Sequence, residues 1–295
     1  MAQHPQSARP RSATPGAPSE AQSAPSLIEL LARGVLDAEL AALVWILVEA
    51  RIPLVVAVPE GRVAAGGQLL AGVLGSIHAD TDGQAIAGPL TAAAASSLIR
   101  GRRPGGVVEA ASLGEVRERL GGGPLPLSED QLTFIGCVLV LGGTAAGPRG
   151  RLRVTAAHYV RPLARDAHGH SQRLDPAVLA TWDERLERYE HFAWGVLPEV
   201  AARLGRRSGD LEADLHHRRD DLAGLAKAGV TALDEVQKLI AGYRVRYGDG
   251  HGGTAAAQGQ AAPAARGSAA TDPHSGDAAD GHDHEALDSH GHRPH

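Results

Sequence analysis

An apolar strand pattern, a glycine-rich turn and a helical pattern follow one another directly between residues 52 and 74, and no other segment constrains the fold as much. Residues 52–58 are short, branched and apolar on both faces, which is typical of a strand buried in the centre of a parallel sheet. A glycine-rich turn follows, and residues 69–74 begin a helical pattern. Because a strand, a turn and a helix in this order form half of a βαβ unit, we expect an α/β fold.

The glycine-rich turn fits the spacing of a phosphate-binding loop, G-x-x-x-x-G-K-[ST], except at its two chemical positions. Gly61 and Gly66 occupy the glycine positions. Gly67 stands in place of the lysine, and Gln68 in place of the residue that holds Mg²⁺. Two interpretations are open: these four residues still bind ATP or ADP, with or without Mg²⁺, through backbone N–H groups, or the turn only joins a strand to a helix. Because phosphoryl transfer depends on the missing positive charges, we expect weak or no ATP hydrolysis.

Composition excludes several classes of protein. The chain has 295 residues and a net charge of −5, so nothing attracts it generally to nucleic acid or to anionic lipid. A single cysteine, Cys137, rules out an intrachain disulfide. The N-terminus has no apolar signal segment, and charged residues and a proline interrupt the longest apolar stretch, residues 40–58. We therefore expect a cytoplasmic protein that does not insert into membranes.

Sequence patterns divide the chain into three parts. Residues 1–25 and 248–295 lack apolar periodicity, so we predict both to be disordered on either side of one domain, residues 26–247. After the parallel strand pattern, strands are predicted at residues 133–141, 152–160, 178–183 and 190–194. Helices are predicted at residues 197–204, 210–228 and 233–244. The expected fold is a reduced sheet, a β-meander and a helical C-terminal part.

Four stretches of the domain follow one another in an order that a single family shares. They are a helix and strand leading into the glycine turn at residues 41–57, a helix at 110–120, a β-meander at 151–190 and closing helices at 222–243. In order and layout they resemble the ATPases that power type II and type IV secretion systems, type IV pili and archaeal flagella. The resemblance covers most of residues 27–245. It implies a P-loop NTPase-like fold and assembly into an oligomeric ring.

The chain departs from that family where the family's chemistry would lie. The segment between the glycine turn and residue 110 is too short, and it contains no apolar strand that ends in Asp-Glu. Glu115 lies in a Gly-Glu-Val-Arg stretch that imitates the family's Walker B region, and it is the candidate catalytic residue. The alternative for Glu115 is a solvated helix charge that pairs with Arg119 one turn later. The resemblance therefore implies a shortened member with a degenerate nucleotide site.

Two further features have both a structural and a functional interpretation. Aromatic residues concentrate late in the domain, at Trp182, Tyr189, Phe192 and Trp194. They predict core or interface packing, and the alternative is a partner-binding patch. The pair Arg218-Arg219 lies beside two aspartates, which indicates a solvated helix face rather than a phosphate site.

The C-terminal segment is rich in histidine and aspartate. Its candidate metal ligands are His282, His284, His290 and His292. Neutral imidazoles at this spacing bind Zn²⁺ or Ni²⁺, so the segment predicts a loose metal site.

The leading functional expectation is a degenerate secretion- or pilus-ATPase-like subunit with weak or no ATP hydrolysis. Such a subunit would act in assembly of the apparatus, as a homo-oligomer or with an active secretion ATPase. The alternatives are a non-enzymatic interaction or scaffold protein without a nucleotide site, and a metal-binding protein that acts through its histidine-rich tail.

Overall fold

A computed structural model describes residues 24–78, 88–122, 127–143, 152–165 and 168–247, all within one compact unit. The helices are α1 Leu27–Ala32, α2 Ala38–Glu49, α3 Val63–Ile77, α4 Ala92–Ile99, α5 Leu113–Gly121, α6 Glu129–Leu132, α7 Leu197–Arg203, α8 Ser208–Ala228 and α9 Leu233–Tyr247. The strands are β1 Leu54–Val58, β2 Gly105–Glu109, β3 Cys137–Gly143, β4 Leu152–Tyr159, β5 Ala164–Arg165, β6 Ser171–Gln172, β7 Ala177–Asp183 and β8 Arg188–His191. A 3₁₀ turn covers Ala193–Gly195.

A six-stranded mixed sheet has the order β2-β1-β3-β4-β7-β8. Strand β1 lies between β2 and β3 and pairs with both in parallel, as its apolar sequence on both faces predicts. From β3 onward each strand pairs antiparallel with the next, which gives the expected meander through β4, β7 and β8. The two-stranded β5–β6 ribbon lies between β4 and β7 in the sequence. The fold class is therefore α/β, with a helical C-terminal part.

Helices cover the two faces of the sheet unequally. On one face, Leu54, Val56 and Val58 of β1 belong to a large apolar cluster with α1, α2, α3, α7, α8 and α9. On the other face, Val55 and Ala57 pack with the smaller helices α4, α5 and α6. Burying each such side chain contributes about 1.5–3 kcal/mol, so both layers stabilise the parallel strands. None of the helices in the described part of the chain is long and apolar enough to cross a membrane.

Helix α3 begins at Val63, six residues before the helix predicted from the sequence. The glycine segment is therefore mostly helical instead of forming a loop. Helix α3 packs against β1 and β2, and the absent side chain of Gly66 allows this approach. A Cβ atom at Gly66 would lie 2.6 Å from Cγ1 of Val58 and 2.8 Å from Cγ1 of Val107. Close packing against the sheet compensates for the weak helix propensity of glycine.

Two predicted strand ends also differ from the structure. Strand β3 begins at Cys137 and not at residue 133, because the capped turn α6 and Gly136, with φ of 76°, precede it. Strand β8 ends at His191, and the 3₁₀ turn replaces the predicted continuation to residue 194. The terminal segments 1–23 and 248–295, with their predicted disorder, lie outside the described residues.

Candidate functional site

The carboxyl ends of the parallel strands meet at one edge of the sheet, where α/β proteins commonly bind ligands. The glycine turn follows β1 at this edge, and Gly61 adopts a left-handed backbone with φ of 74°. The Gly61 N–H donates a hydrogen bond of 2.9 Å to Oε1 of Glu109, the last residue of β2. Register explains the contact, since Glu109 pairs with Val58 across the strands. The sequence carries no local signal for this role of Glu109, because its partner lies 48 residues away.

The Glu109 carboxylate lies where a phosphate-binding loop would hold a phosphate. Two unit charges about 4 Å apart repel by about 4 kcal/mol at the effective dielectric of a protein surface. A nucleotide phosphate at the Gly61 amide would meet this repulsion without the lysine and Mg²⁺ that offset it in active loops. This edge of the sheet is therefore electrostatically unfavourable for a polyphosphate while the Glu109 carboxylate accepts the hydrogen bond from the Gly61 N–H.

The four candidate nucleotide contacts have different positions. Gly61 lies in the exposed turn, Gly66 and Gly67 are buried in the first turns of α3, and Gln68 is exposed on the same helix. The first turn of α3 has no side-chain cap. Contact of these residues with ATP, ADP or Mg²⁺ stays a prediction.

Glu115, the candidate catalytic residue, lies in the first turn of α5. Its carboxylate accepts a hydrogen bond of 2.9 Å from the Ala111 N–H, while its own N–H donates to Oγ of the capping residue Ser112 at 3.2 Å. Among the described residues, the carboxylate has this backbone partner in place of the expected Arg119. The contacts give Glu115 a helix-capping position, which anions generally favour.

Arg218 is buried, so the predicted solvated helix face was wrong at this position. Its guanidinium pairs with Asp214 on α8 at 2.9 Å and with Glu49 on α2 at 2.5 Å. It also stacks on Trp45 at 4.4 Å and lies near Tyr243 of α9. The aromatic rings shield the ion pairs from water and so explain why an arginine between polar neighbours faces inward.

Further partners complete this charge network. Asp214 also accepts from the Tyr243 hydroxyl at 2.6 Å and from Arg206 at 2.7 Å. Glu49 also accepts from Arg244 at 2.6 Å. Burial alone would raise the pKa of Asp214, but hydrogen bonds and charge from Arg218, with Tyr243 and Arg206, lower it to about 2. The network joins α2, α8 and α9, and every charge in it has a partner, which indicates a structural role.

An exposed apolar surface lies where β7 begins and β8 ends, at the opposite end of these two strands from the turn that joins them. Trp194, in the 3₁₀ turn, is 74% exposed, Phe192 is 40% exposed and Val178 is 38% exposed. The Phe192 N–H donates to the carbonyl of Leu179 at 2.8 Å, so Phe192 pairs with the residue that follows Val178 in the chain. Large aromatic side chains exposed together are typical of protein contact surfaces. We call Val178, Phe192 and Trp194 the aromatic end.

Strand β8 is the last strand of the sheet, and no other described strand pairs with its outer edge. The Tyr189 hydroxyl anchors it inward, 2.9 Å from the carbonyl oxygen of Val35 and 2.8 Å from that of Val154. Arg188 and Glu190 alternate with the inward residues and are exposed. An edge strand offers unpaired backbone groups that can pair with another strand.

No group of three or more His, Cys, Asp or Glu side chains in the described ranges is placed to hold a metal ion. His282, His284, His290 and His292 lie outside these ranges. The Zn²⁺ or Ni²⁺ site in the tail therefore stays a prediction.

Comparison with known proteins leaves the geometry as the main guide to function. No protein-family model matches the chain. No curated protein matches it either. The likeness to secretion and pilus ATPases therefore rests on the sequence stretches alone.

Proposed function

We propose that this protein is a non-enzymatic assembly subunit that acts by pairing with a second copy of itself. The observation that carries the proposal is the aromatic end, with Trp194 74% exposed, directly after the unpaired edge strand β8. Closed twofold dimers are the commonest oligomers, and a twofold interface must be complementary to itself. The edge of β8 meets that requirement.

Antiparallel pairing of β8 with its copy, centred on Tyr189, would place Arg188 opposite Glu190 of the partner subunit. Symmetry repeats this contact, so two pairs of opposite charge form on the exposed face of the joined sheet. Opposite charges at facing positions stabilise antiparallel strands, and like charges destabilise them. Edge strands that resist pairing commonly carry charges that repel a copy, whereas the charges of β8 attract one.

The same register brings apolar surface together at both ends of the paired strands. Phe192, which follows β8, is directed toward Leu186 of the partner subunit, and Leu186 itself is 44% exposed in the turn before β8. Trp194 lies next to this contact in the chain. Tryptophan is frequent among the residues that dominate interface energies, so covering it twice by symmetry strengthens the pairing.

The charge pattern of β8 predicts the outcome of a reversal and its rescue. The substitution Glu190→Arg should raise the dissociation constant of the dimer by at least about tenfold, because it places two arginines opposite each other at both contacts. The double substitution Arg188→Glu with Glu190→Arg should restore dimerisation, since the charges still alternate. Sedimentation velocity of the full chain over a range of concentrations measures both.

Glu118→Arg is the matched control, because Glu118 is an exposed glutamate on α5, which packs against the parallel strands at the other side of the sheet from β8. It makes the same charge change and should leave the dissociation constant unchanged. A monomeric wild-type protein at the highest concentration would contradict the proposal. So would a Glu190→Arg dimer as tight as the wild type.

A nucleotide-binding, secretion-ATPase-like role stays a prediction that the same protein can test. Because Glu109 accepts from the Gly61 N–H, we expect ATP or ADP at about 1 mM, with or without Mg²⁺, to leave the melting temperature unchanged. A nucleotide at about 100 times its dissociation constant would add about 2.7 kcal/mol of stability and shift the melt by several degrees. Such a shift would show that the glycine turn is a nucleotide site and would favour the secretion-ATPase-like alternative.

A further inference from the structure

An open cleft of about 540 Å³ lies between the α1–α2 loop, strands β4, β7 and β8, and helix α8. Its volume falls in the range of small-molecule sites in proteins. Arg153 of β4 and Trp182 of β7 line the cleft, together with the apolar side chains of Leu31, Leu36 and Ala226. The open cleft therefore contains both a cationic group and an apolar wall.

Arg153 is held in this cleft without an ion-pair partner among the described residues. Its guanidinium carbon lies 3.5 Å from the ring centroid of Trp182, so the side chain stacks on the indole. Its Nε–H is buried with no hydrogen-bond acceptor, and none of the carboxylates in the described ranges forms an ion pair with it. An unsatisfied buried donor lowers stability, so such groups call for a functional or structural explanation.

The loop opposite Arg153 lies close against its guanidinium. Gly34 has φ of 67°, a conformation that other residues rarely adopt. A Cβ atom at Gly34 would lie 3.4 Å from Nη2 of Arg153. Contacts of the Tyr189 hydroxyl with the carbonyl oxygens of Val35 and Val154 fix this loop on the sheet. The cleft is therefore preformed rather than assembled by a ligand.

The acidic groups nearby do not neutralise Arg153. Asp37 caps α2 through the Leu40 N–H at 2.9 Å and pairs with Nε2 of His191 at 2.8 Å, so both carboxylate oxygens are engaged. Burial alone would lower the pKa of His191, but the hydrogen bond and charge of Asp37 raise it, which strengthens this pairing. Arg188 and Glu187, which carry opposite charges, also line the cleft.

We propose that the cleft binds a small organic monocarboxylate, with the carboxylate on Arg153 and the apolar body against the leucine and alanine wall. A guanidinium holds a carboxylate through two parallel hydrogen bonds, a geometry that its stacking on Trp182 keeps in place. One cation without an ion-pair partner among the described residues matches one negative charge, and the apolar wall favours an organic body over inorganic phosphate. The cleft shares Arg188 with the β8 edge, but its cation Arg153 lies on β4 and takes no part in the proposed pairing of β8.

Calorimetric titration of the full chain with 2-naphthoate, 2-naphthamide and inorganic phosphate tests this site. We expect saturable binding of naphthoate, binding of the neutral amide that is at least about tenfold weaker, and no binding of phosphate. The substitution Arg153→Met keeps the length of the side chain and removes the charge, and it should weaken naphthoate binding by at least about tenfold. Arg117→Met is the matched control, since Arg117 pairs with Glu129 elsewhere on the surface.

The position of binding has its own readout. Naphthoate should shift the indole N–H resonance of Trp182 in a ¹⁵N-labelled sample, and the Trp182→Phe variant assigns that signal. Equal affinity for naphthoate and naphthamide, tight phosphate binding, no saturation by naphthoate or an unchanged affinity of Arg153→Met would each overturn the proposal. If the Arg153→Met variant does not fold, two measurements on the wild-type chain still test the proposal. They are the comparison of naphthoate with naphthamide and the shift of the Trp182 indole resonance.

Discussion

Replacing Arg218 with methionine should lower the free energy of unfolding by about 3–5 kcal/mol. The substitution retains apolar contact with Trp45 but leaves Asp214 and Glu49 without their shared buried cation. Removing one partner of a buried ion pair is costly, because the remaining charge stays in a low-dielectric environment without compensation. Arg206 and Arg244 still reach the two carboxylates and keep the loss within this range. Urea denaturation followed by circular dichroism measures it.

The adjacent arginine supplies the control. Arg219 pairs with Asp220 at the surface, and surface pairs of this kind contribute about 0–1 kcal/mol. Arg219→Met should therefore change the stability by less than about 1 kcal/mol. If the two variants lose the same stability, the network among α2, α8 and α9 does not hold these helices together in the way its geometry indicates.

Acid titration gives the Arg218 substitution a second readout. The pKa of Asp214 lies at about 2 in the folded protein, below the ordinary aspartate value of 3.8 that applies to the unfolded chain. A carboxyl group with a lowered folded pKa stabilises the protein above its unfolded pKa, and this contribution is lost as the pH falls from 3.8 toward 2. Because Arg218 is the leading favourable partner, its removal should shrink this pH-dependent contribution. An unchanged acid profile would argue against a strong Asp214–Arg218 coupling.

The parts of the fold that were predictable are those with a local cause. Strand β1 and the core of β3 are apolar on both faces, and that pattern alone places them in the centre of a sheet. Helix α2, which the sequence places directly before β1, also has local causes, because Asp37 caps it and apolar residues fill it. The start of α3 was not predictable in this way. Glycines at residues 66 and 67 suggest a loop until their packing against β1 and β2 is known.

The candidate sites could not be predicted in the same way, because contacts between residues far apart in the sequence form them. The glycine turn was located correctly at the carboxyl end of β1, but Glu109, which occupies it, has no local signal. Arg218 resembled a solvated residue because its partner Glu49 is 169 residues away. Arg153 and Trp182 are adjacent only because β4 and β7 pair. An unpaired arginine becomes informative once its surroundings are known.

Gly66→Ala should lower the free energy of unfolding by about 1–3 kcal/mol, the usual cost of excess volume in a packed core. The added Cβ would lie 2.6 Å from Cγ1 of Val58 and 2.8 Å from Cγ1 of Val107, closer than such atoms approach. Both neighbours are stiff β-branched residues in the sheet, so helix α3 itself must shift. The gain in helix propensity offsets only part of this cost.

Gly75→Ala in the same helix separates packing from propensity, because a Cβ there meets nothing within 4 Å. It should raise the stability by about 0.5–1 kcal/mol, so the two alanine variants should differ in sign. A phosphate-binding role for Gly66 predicts another pattern, with little change in stability and a loss of nucleotide-induced stabilisation. Thermal melts of both variants with and without ATP distinguish these cases. A stable Gly66→Ala variant that loses an ATP response would show that Gly66 serves a nucleotide, while an unstable one without such a response assigns it to the contact between α3 and the sheet.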